Sequence, residues 1–224
     1  MSVLPDLRTR ATDEELLDAG PPASEVRKSL ADLRLVNRWL SGRGSLLRAV
    51  AAHLPPGGRL LDVGCGSGDV PAYLSARLAR ASLTVGVDVK PLHLREAPGG
   101  VRRVAADARR LPFGDRSFDV VTATLFLHHF DEAELGQLLA ELARVARCAI
   151  VVSDLERALV PFVFARTVFP WLFETTLSVH DGLVSIRRGF RPPELRAAFE
   201  AAGLDRVGIR RQFPYRLLAV AALS

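Results

Sequence analysis

A short apolar stretch runs into a glycine-rich turn at Leu60-Leu61-Asp62-Val63-Gly64-Cys65-Gly66-Ser67-Gly68-Asp69. Spaced glycines let the backbone turn sharply and let a ligand approach it closely. A helix N-terminus is indicated directly after the turn, because Asp69 is a good capping residue and Pro71 follows where a missing N–H costs nothing. The stretch therefore predicts a strand, a turn and a helix, with a ligand site at the turn.

Helix and strand signals alternate on both sides of this turn. Upstream, apolar residues at helical spacing predict one helix around residues 26–40 and another around 46–54. Asp131 with Glu134 predicts a capping box at the start of a later helix. Further strands are predicted at residues 83–87, 101–105, 118–123 and 149–152. This alternation is typical of a parallel sheet covered by helices on both faces.

The end of the chain breaks this alternation. Pro192-Pro193-Glu194 opens a predicted helix, which ends at Gly203. Two apolar stretches at residues 207–213 and 217–223 follow, and the connection between them is too short for a crossover helix, so they must pair antiparallel. The predicted fold class is α/β: a Rossmann-like, seven-stranded, mostly parallel sheet that closes in an antiparallel hairpin.

Composition and charge exclude several classes of protein. Hydrophobic residues make up 49% and charged residues 25% of the 224, which is the composition of a chain with a folded core. No apolar run reaches the ~20 residues of a membrane-spanning helix, and the first residues lack the apolar core of a secretion signal. The net charge of +5 comes from scattered arginines that are not interleaved with aromatic residues, so no nucleic-acid partner is indicated. We expect a cytoplasmic protein without a membrane span.

Asp62 distinguishes between two kinds of ligand that use such a turn. A dinucleotide site prefers glycines spaced as G-x-G-x-x-G, with the pyrophosphate at the helix N-terminus. Here the spacing is G-x-G-x-G, and the carboxylate of Asp62 would repel a pyrophosphate. S-adenosylmethionine presents an ammonium and a sulfonium instead. The charge therefore favours the methyl donor over NAD.

Residues 60–69 resemble motif I of the class I S-adenosylmethionine-dependent methyltransferases, and further motifs of that family follow in order. The strand that ends in Asp88 resembles the one whose acidic residue takes the ribose hydroxyls, since a carboxylate accepts two O–H donors well. Ala106-Asp107-Ala108 resembles the loop that contacts the adenine, and residues 118–121 resemble the fourth strand. The resemblance implies an S-adenosylmethionine-dependent methyltransferase. It assigns cofactor contacts to Asp62, Gly64, Cys65, Gly66, Gly68, Asp88, Val89, Asp107, Ala108 and Leu125.

Four segments are expected on this basis. Residues 1–55 form a helical N-terminal cap, and residues 56–154 form the core that binds S-adenosylmethionine. Residues 155–190 form an apolar inserted lid. Residues 191–224 supply the last helix and the strand hairpin that complete the core.

Two adjacent histidines, His128 and His129, follow the fourth strand, where this family often has a histidine near the methyl group. Methyl transfer mainly requires that the reactants be held in line and that water be excluded. A phenol with a pKa near ~10 is mostly neutral at pH 7, so an oxygen acceptor benefits from a general base. Neighbouring side chains are expected to point apart, and we favour His129 as the base with His128 as the alternative. No metal site is predicted.

Contacts with the methyl acceptor are expected from the insertion and from the first helix. The apolar residues 159–173 suit a lid over an aromatic or alkyl acceptor. His180, Asp181 and Arg187 are candidate acceptor contacts, with a simple turn and a solvated surface as the alternatives. Asn37 lies in an apolar helical stripe and either faces the ligand or is a half-buried amide.

The flanking segments resemble, more loosely, small bacterial methyltransferases associated with polyketide or quinone-type aromatic metabolism. This resemblance implies O-methylation of a phenolic or polyketide-derived small molecule. Carbon methylation of a quinol-like ring is the nearest alternative, and an NAD-dependent oxidoreductase is the alternative from another class. A binding protein without catalysis is disfavoured, because Asp62, Asp88 and Asp107 are all present.

Overall fold

The computed structural model describes residues 6–40, 42–78, 81–96 and 100–223. Its strands are β1 (Gly58–Val63), β2 (Ala81–Asp88), β3 (Arg102–Ala105), β4 (Phe118–Thr124), β5 (Ala146–Leu155), β6 (Val207–Gln212) and β7 (Arg216–Ala222). Its helices are α1 (Ala23–Leu40), α2 (Arg43–His53), α3 (Asp69–Arg77), α4 (Pro91–Arg95), α5 (Glu132–Val145), α6 (Leu159–Leu172), α7 (Thr176–Arg188) and α8 (Pro192–Ala201).

The seven strands form one sheet in the order β3-β2-β1-β4-β5-β7-β6. The first five strands run parallel, whereas β7 pairs antiparallel with both β5 and β6. The predicted fold class is therefore confirmed, including the antiparallel hairpin at the end of the chain. Because β1, β2, β4 and β5 are parallel, their carboxyl ends meet at one edge of the sheet.

Alternate residues of the central strands pack into two separate cores. Leu61, Val121 and Ile150 point to the face covered by α5 and α8, and their neighbours Leu60 and Val120 point to the face covered by α2 and α3. This is the two-residue period of a strand. Each central strand is buried on both faces, which explains its nearly continuous apolar sequence.

Helices α6, α7 and α1 lie at the edge where the parallel strands end. The packing of α6 against α7 forms a small core of Phe162, Ala165, Phe169 and Ile186, and α1 contacts α7. None of the described helices is both long enough and apolar enough to span a membrane. The predicted lid segment is thus a pair of helices.

The expectation of a helical N-terminus is wrong for residues 6–22, which contain no helix. Their backbone groups are used by the rest of the molecule: Asp181 accepts hydrogen bonds from the N–H groups of Leu16 and Leu17, and Ala11 donates to the carbonyl of Arg187. Pro21 and Pro22 then separate this segment from α1. In residues 6–22, backbone hydrogen bonds to distant residues replace the hydrogen bonds of the helix that we expected.

Candidate active site

A cavity of about 700 Å³ opens at the carboxyl ends of β1, β2 and β4. The glycine turn after β1 and the turn after β4 form one part of its wall. Helices α1, α6 and α7, the N-terminal segment and the turn between β6 and β7 form the rest. Ligands of open parallel sheets bind at this edge.

The glycine turn has two separate reasons to lack side chains. Gly64, Gly66 and Gly68 have positive φ angles of 68°, 53° and 68°. In addition, a Cβ atom on Gly64 would lie 2.1 Å from the ring of Phe126. Cys65 is buried, and burial raises the pKa of its thiol, so Cys65 is a small neutral residue of the turn rather than a nucleophile.

Asp62 is a buried carboxyl at the end of β1. It accepts a hydrogen bond of 2.6 Å from the hydroxyl of Thr122. Burial raises the pKa of Asp62 to about 7; the hydrogen bond from Thr122 opposes this effect, and the nearby carboxylates of Asp69 and Asp88 add to it. A cationic ligand would favour the ionised form. Asp62 therefore fits a group such as the ammonium of S-adenosylmethionine.

Asp88, at the end of β2, fastens the glycine turn to the neighbouring strand. Its two carboxylate oxygens accept backbone hydrogen bonds from Gly66 at 2.9 Å and from Lys90 at 2.8 Å. Burial alone would raise the pKa of Asp88, but His93 and these N–H groups outweigh burial and lower it. Asp88 therefore stays ionised. Its Oδ1 also faces Nδ1 of His93 at 3.4 Å, whereas Oδ2 keeps a lone pair for a ligand hydroxyl. Val89 beside it is exposed and lines the cavity.

Asp107 lies on the rim with both oxygens engaged by the guanidinium of Arg109, at distances between 2.9 and 3.3 Å. Ala108 is buried behind it. On the opposite wall, Leu125 has a positive φ of 52°, a strained conformation for a leucine. Of the residues assigned to the cofactor, those that line the cavity are Asp62, Gly64, Cys65, Gly66, Asp88, Val89, Asp107, Ala108 and Leu125. Gly68 stands just behind them as the N-cap of α3.

His128 is held between two carboxylates. Its Nδ1 lies 2.7 Å from Oδ1 of Asp154, and its Nε2 lies 3.5 Å from Oε1 of Glu15. Burial alone would lower the pKa of His128, but Asp154 and Glu15 outweigh burial and raise it to about 9. Against the effect of burial, His128 lowers the pKa of Asp154, and His129 together with His128 lowers that of Glu15. His128 is therefore a buried cation at neutral pH.

His129 lies beside it, and the expectation that the two rings point apart is wrong. The rings stack with centroids 4.4 Å apart and an angle of 29° between their planes. Both are oriented toward the carboxylate of Glu15, and Nδ1 of His129 also lies 3.2 Å from Oδ2 of Asp18. Burial would raise the pKa of Asp18, but His129 and Lys90 lower it overall. Both histidines line the cavity.

Glu15, His128 and His129 bring one potential metal-ligand atom each to within 4.8 Å of one another. Their geometry nevertheless suits hydrogen bonds among the three side chains better than coordination of a metal ion. The lone pair of an imidazole nitrogen lies in the ring plane, and two nearly parallel stacked rings direct their lone pairs side by side instead of toward one point. We therefore treat this group as a hydrogen-bonded charge network.

The candidate acceptor residues are divided between the cavity and its surroundings. Asn37 and Asp181 line the cavity, and Asp181 anchors the N-terminal segment through the backbone of residues 16–17. His180 and Arg187 are not among the described residues of the cavity wall. His180 is half exposed against Asp181, and Arg187 pairs with Asp13 at 3.0 Å. Their contact with an acceptor stays a prediction.

The charged residues that the sequence reasoning missed include Glu15, Asp18 and Arg216 in the cavity wall and Asp154, which is buried behind His128. Asp154 carries a usable signal, because it lies near the carboxyl end of β5 just as Asp62 and Asp88 end β1 and β2. No periodicity or motif in the sequence indicates that Glu15, Asp18 and Arg216 lie at the site. Arg216 is buried, and its Nη1 has no hydrogen-bond partner within the part of the chain that the structure describes.

Comparison with known proteins identifies the family of this chain. The methyltransferase-domain family matches residues 61–148. A demethylmenaquinone methyltransferase of Roseiflexus sp. is 32% identical over 151 residues, which are 65% of this chain and 60% of that protein. The ubiquinone/menaquinone biosynthesis C-methyltransferase UbiE of Desulfotalea psychrophila is 30% identical over 173 residues, which are 70% of this chain and 69% of that one. The chain thus spans about 60% of the length of the first relative.

A solved structure shares the fold. The S-adenosylmethionine-dependent methyltransferase of Aquifex aeolicus superposes with a TM-score of 0.66 at 19% identity, covering 91% of this chain and 100% of that one. With the sequence relatives, the sheet order and the glycine turn, these findings define the class. The chain belongs to the class I S-adenosylmethionine-dependent methyltransferases, and S-adenosylmethionine is its cofactor. It is similar to enzymes of ubiquinone and menaquinone biosynthesis, and the alternative of an NAD-dependent oxidoreductase is set aside.

Proposed function

We propose that this enzyme methylates a ring carbon of a quinol-like aromatic molecule, in preference to the phenolic oxygen that the sequence favoured. The observation that carries the proposal is the pair of Glu15 and His128 in the wall of a largely apolar cavity, with Asp154 buried behind His128. An apolar ring with polar hydroxyl groups suits such a cavity. The Desulfotalea relative is named a C-methyltransferase of ubiquinone and menaquinone biosynthesis, which supports carbon over oxygen.

The cofactor end of the cavity consists of Asp62, the glycine turn and Asp88. S-adenosylmethionine supplies an electrophilic methyl group when it is bound. Asp62 attracts its ammonium group, and the lone pair left on Oδ2 of Asp88 accepts a ribose hydroxyl. Gly66 leaves open space where a side chain would stand, since a Cβ there would meet no atom within 4 Å. The residues present therefore fit this group.

At the acceptor end, a base has to remove a proton from the quinol, because an ionised hydroxyl makes the ring carbon more nucleophilic. As the ring carbon takes the methyl group, the methyl–sulfur bond would break and sulfur would keep its electron pair. The ring carbon would then give up its own proton to water, so that aromaticity returns. We assign the base to His129. Its side chain is 25% exposed, whereas that of His128 is 3% exposed and already holds Asp154 and Glu15. Asp18 and Glu15 beside His129 stabilise the imidazolium that results.

Arg216 is assigned to the second oxygen of the acceptor. Its guanidinium is buried at the cavity wall, Nε donates to the carbonyl of Leu40 at 3.0 Å, and Nη1 is left over for a ligand. A buried guanidinium N–H without a partner costs free energy, which a quinol or quinolate oxygen would recover. Two separated polar groups in an apolar cavity match an acceptor with two ring oxygens.

The experiment is methyl transfer from carbon-13-labelled S-adenosylmethionine to a reduced, short-chain demethylmenaquinol analogue, followed by NMR of the product. A labelled methyl group on a ring carbon, with loss of the ring proton at that position, supports the proposal. A matched monophenol is the control acceptor. A labelled methoxy group on either compound would overturn carbon methylation and return the assignment to an O-methyltransferase.

A further inference from the structure

Helix α6 carries large apolar residues on its exposed side as well as on its buried side. Phe162, Ala165 and Phe169 pack toward α7. At 3.6 residues per turn, the exposed positions span roughly 160° on the other side. They carry Leu159, Val160, Val163, Phe164 and Trp171, and the side chain of Trp171 is 91% exposed. A helix that is hydrophobic all round is normally buried on all sides.

The polar residues of α6 do not interrupt this surface. Thr167 lies in its middle, but the hydroxyl donates back to the carbonyls of Val163 and Phe164 at 2.9 and 3.1 Å. Arg166 lies at its margin and is exposed. The sequence has no acidic residue from 157 to 173, so the surface carries no negative charge of its own.

The apolar surface continues onto the turn between β6 and β7. Phe213 at this turn is 89% exposed. The turn is fastened beside the start of α6, because the N–H of Glu156 donates to the carbonyl of Tyr215 at 3.0 Å. We call the exposed side chains of Leu159, Val160, Val163, Phe164, Trp171 and Phe213 the α6 face.

The α6 face borders the opening of the active-site cavity. Val160, Phe164 and Phe213 are exposed and at the same time line the cavity. A side chain with both properties lies at the mouth. An apolar acceptor could therefore enter or leave the cavity across this face without crossing water.

We propose that the α6 face docks on the surface of an anionic phospholipid bilayer. Exposed apolar patches at a binding-site mouth mark an interaction surface, and tryptophan favours the boundary between apolar chains and polar headgroups. Arg166 at the margin and the net charge of +5 are complementary to anionic headgroups. A second copy of the chain on this face would cover the cavity mouth, whereas a bilayer would supply an apolar acceptor to it.

The test measures sedimentation of the full chain with vesicles of phosphatidylcholine alone and of phosphatidylcholine with about a third phosphatidylglycerol. We expect binding to the anionic vesicles that weakens at high salt, because the charge contribution is screened. The variant Val163→Glu/Trp171→Glu should bind these vesicles at least ~10-fold more weakly. Neither residue lines the cavity, so the affinity of the variant for S-adenosylmethionine should equal that of the wild type, which also reports that the variant folds.

The matched control is Gln137→Glu/Ala140→Glu, which adds the same two negative charges to exposed positions of α5. It should bind vesicles as the wild type does. The proposal is overturned if the wild type sediments with neither vesicle, or if the control loses as much binding as the α6 variant. It is also overturned if light scattering detects a dimer that only the α6 variant dissociates, because the face would then be covered by a second copy. Vesicle binding needs no acceptor, so the result is independent of the proposed reaction.

Discussion

Asp154 holds His128 from two directions at once. Its Oδ1 lies 2.7 Å from the imidazole Nδ1, and its Oδ2 accepts the backbone N–H groups of Phe126 and His128 at 3.2 and 3.3 Å. The carboxylate thus fixes the turn after β4 and the charge on the ring that the turn carries. Glu15 on the other side of the ring completes a buried row of negative, positive and negative groups. The orientation of His129 depends on this row, because its stacked neighbour cannot move without breaking an ion pair.

The free energy of unfolding should depend on pH because of the row formed by Glu15, His128 and Asp154. Because the folded pKa of His128 is raised from 6.5 to about 9, its contribution is complete below about pH 6.5 and is lost as pH rises through 9. The loss should be about 3 kcal/mol in the free energy of unfolding. Urea unfolding from pH 6 to 10 measures it. The variant His128→Gln should be less stable at pH 7 and should lack this decline, and a decline of equal size in both proteins would contradict the assignment.

Ionised Asp62 should destabilise the ligand-free fold and at the same time strengthen the binding of S-adenosylmethionine. Its folded pKa is raised to about 7, so the stability that it contributes is complete below pH 3.8 and is lost as pH rises through 7. Above pH 7, Asp62→Asn removes a buried charge without removing the acceptor for Thr122. We expect the melting temperature of the ligand-free variant to rise by several degrees at pH 8.

The same variant should bind S-adenosylmethionine at least ~10-fold more weakly, since the attraction between opposite charges is gone. Calorimetry at pH 6 and pH 8 separates the two effects. In the wild type, affinity should increase between these pH values as Asp62 ionises, and in the variant this contribution should be absent. An affinity of Asp62→Asn equal to that of the wild type at pH 8 would remove Asp62 from the cofactor site.

Asp88 and Asp107 should differ in their importance to the cofactor, although the sequence treats both as binding residues. Asp88 is buried and fixed by Gly66 and Lys90, whereas Asp107 is half exposed and already engaged by Arg109. Asp88→Ala should weaken binding by roughly 1.5–3 kcal/mol, because hydrogen bonds to a charged group are lost. Asp107→Ala should cost about 1 kcal/mol or less. Calorimetry with both variants would contradict this order if Asp107→Ala were the weaker binder.

The cofactor half of the site could be predicted from the sequence because it is made of local signals. Asp62 and Asp88 end predicted strands, and parallel strands bring such residues to one edge of the sheet. The acceptor half depends on contacts between distant segments. Glu15 reaches His128 only because Asp181 of α7 binds the backbone beside it, and nothing in residues 6–22 indicates that partner.

The stacking of His128 and His129 also could not be predicted from the sequence, although the two residues are adjacent. Alternation along the chain suggests that neighbours diverge, but a shared carboxylate draws both rings to one side. That carboxylate comes from more than a hundred residues away in the sequence, so no local pattern indicates the stacking. By contrast, Asp131 and Glu134 form the predicted capping box, because both of its hydrogen bonds lie within one turn of α5.

His129→Ala should separate catalysis from cofactor binding. If His129 removes the acceptor proton, its loss should lower kcat by about 10²- to 10⁴-fold, while the affinity for S-adenosylmethionine stays unchanged because the cofactor contacts lie at the other end of the cavity. His53→Ala is the matched control, since it removes the same side chain from α2, off the cavity wall, and it should keep wild-type turnover. His180→Ala tests the predicted acceptor contact of His180. The measurement is methyl transfer to the quinol acceptor together with calorimetric titration of the cofactor. Equal turnover in His129→Ala and the wild type would exclude a base at this position, whereas a matching loss in His180→Ala would mean that α7 brings His180 to the acceptor during the reaction.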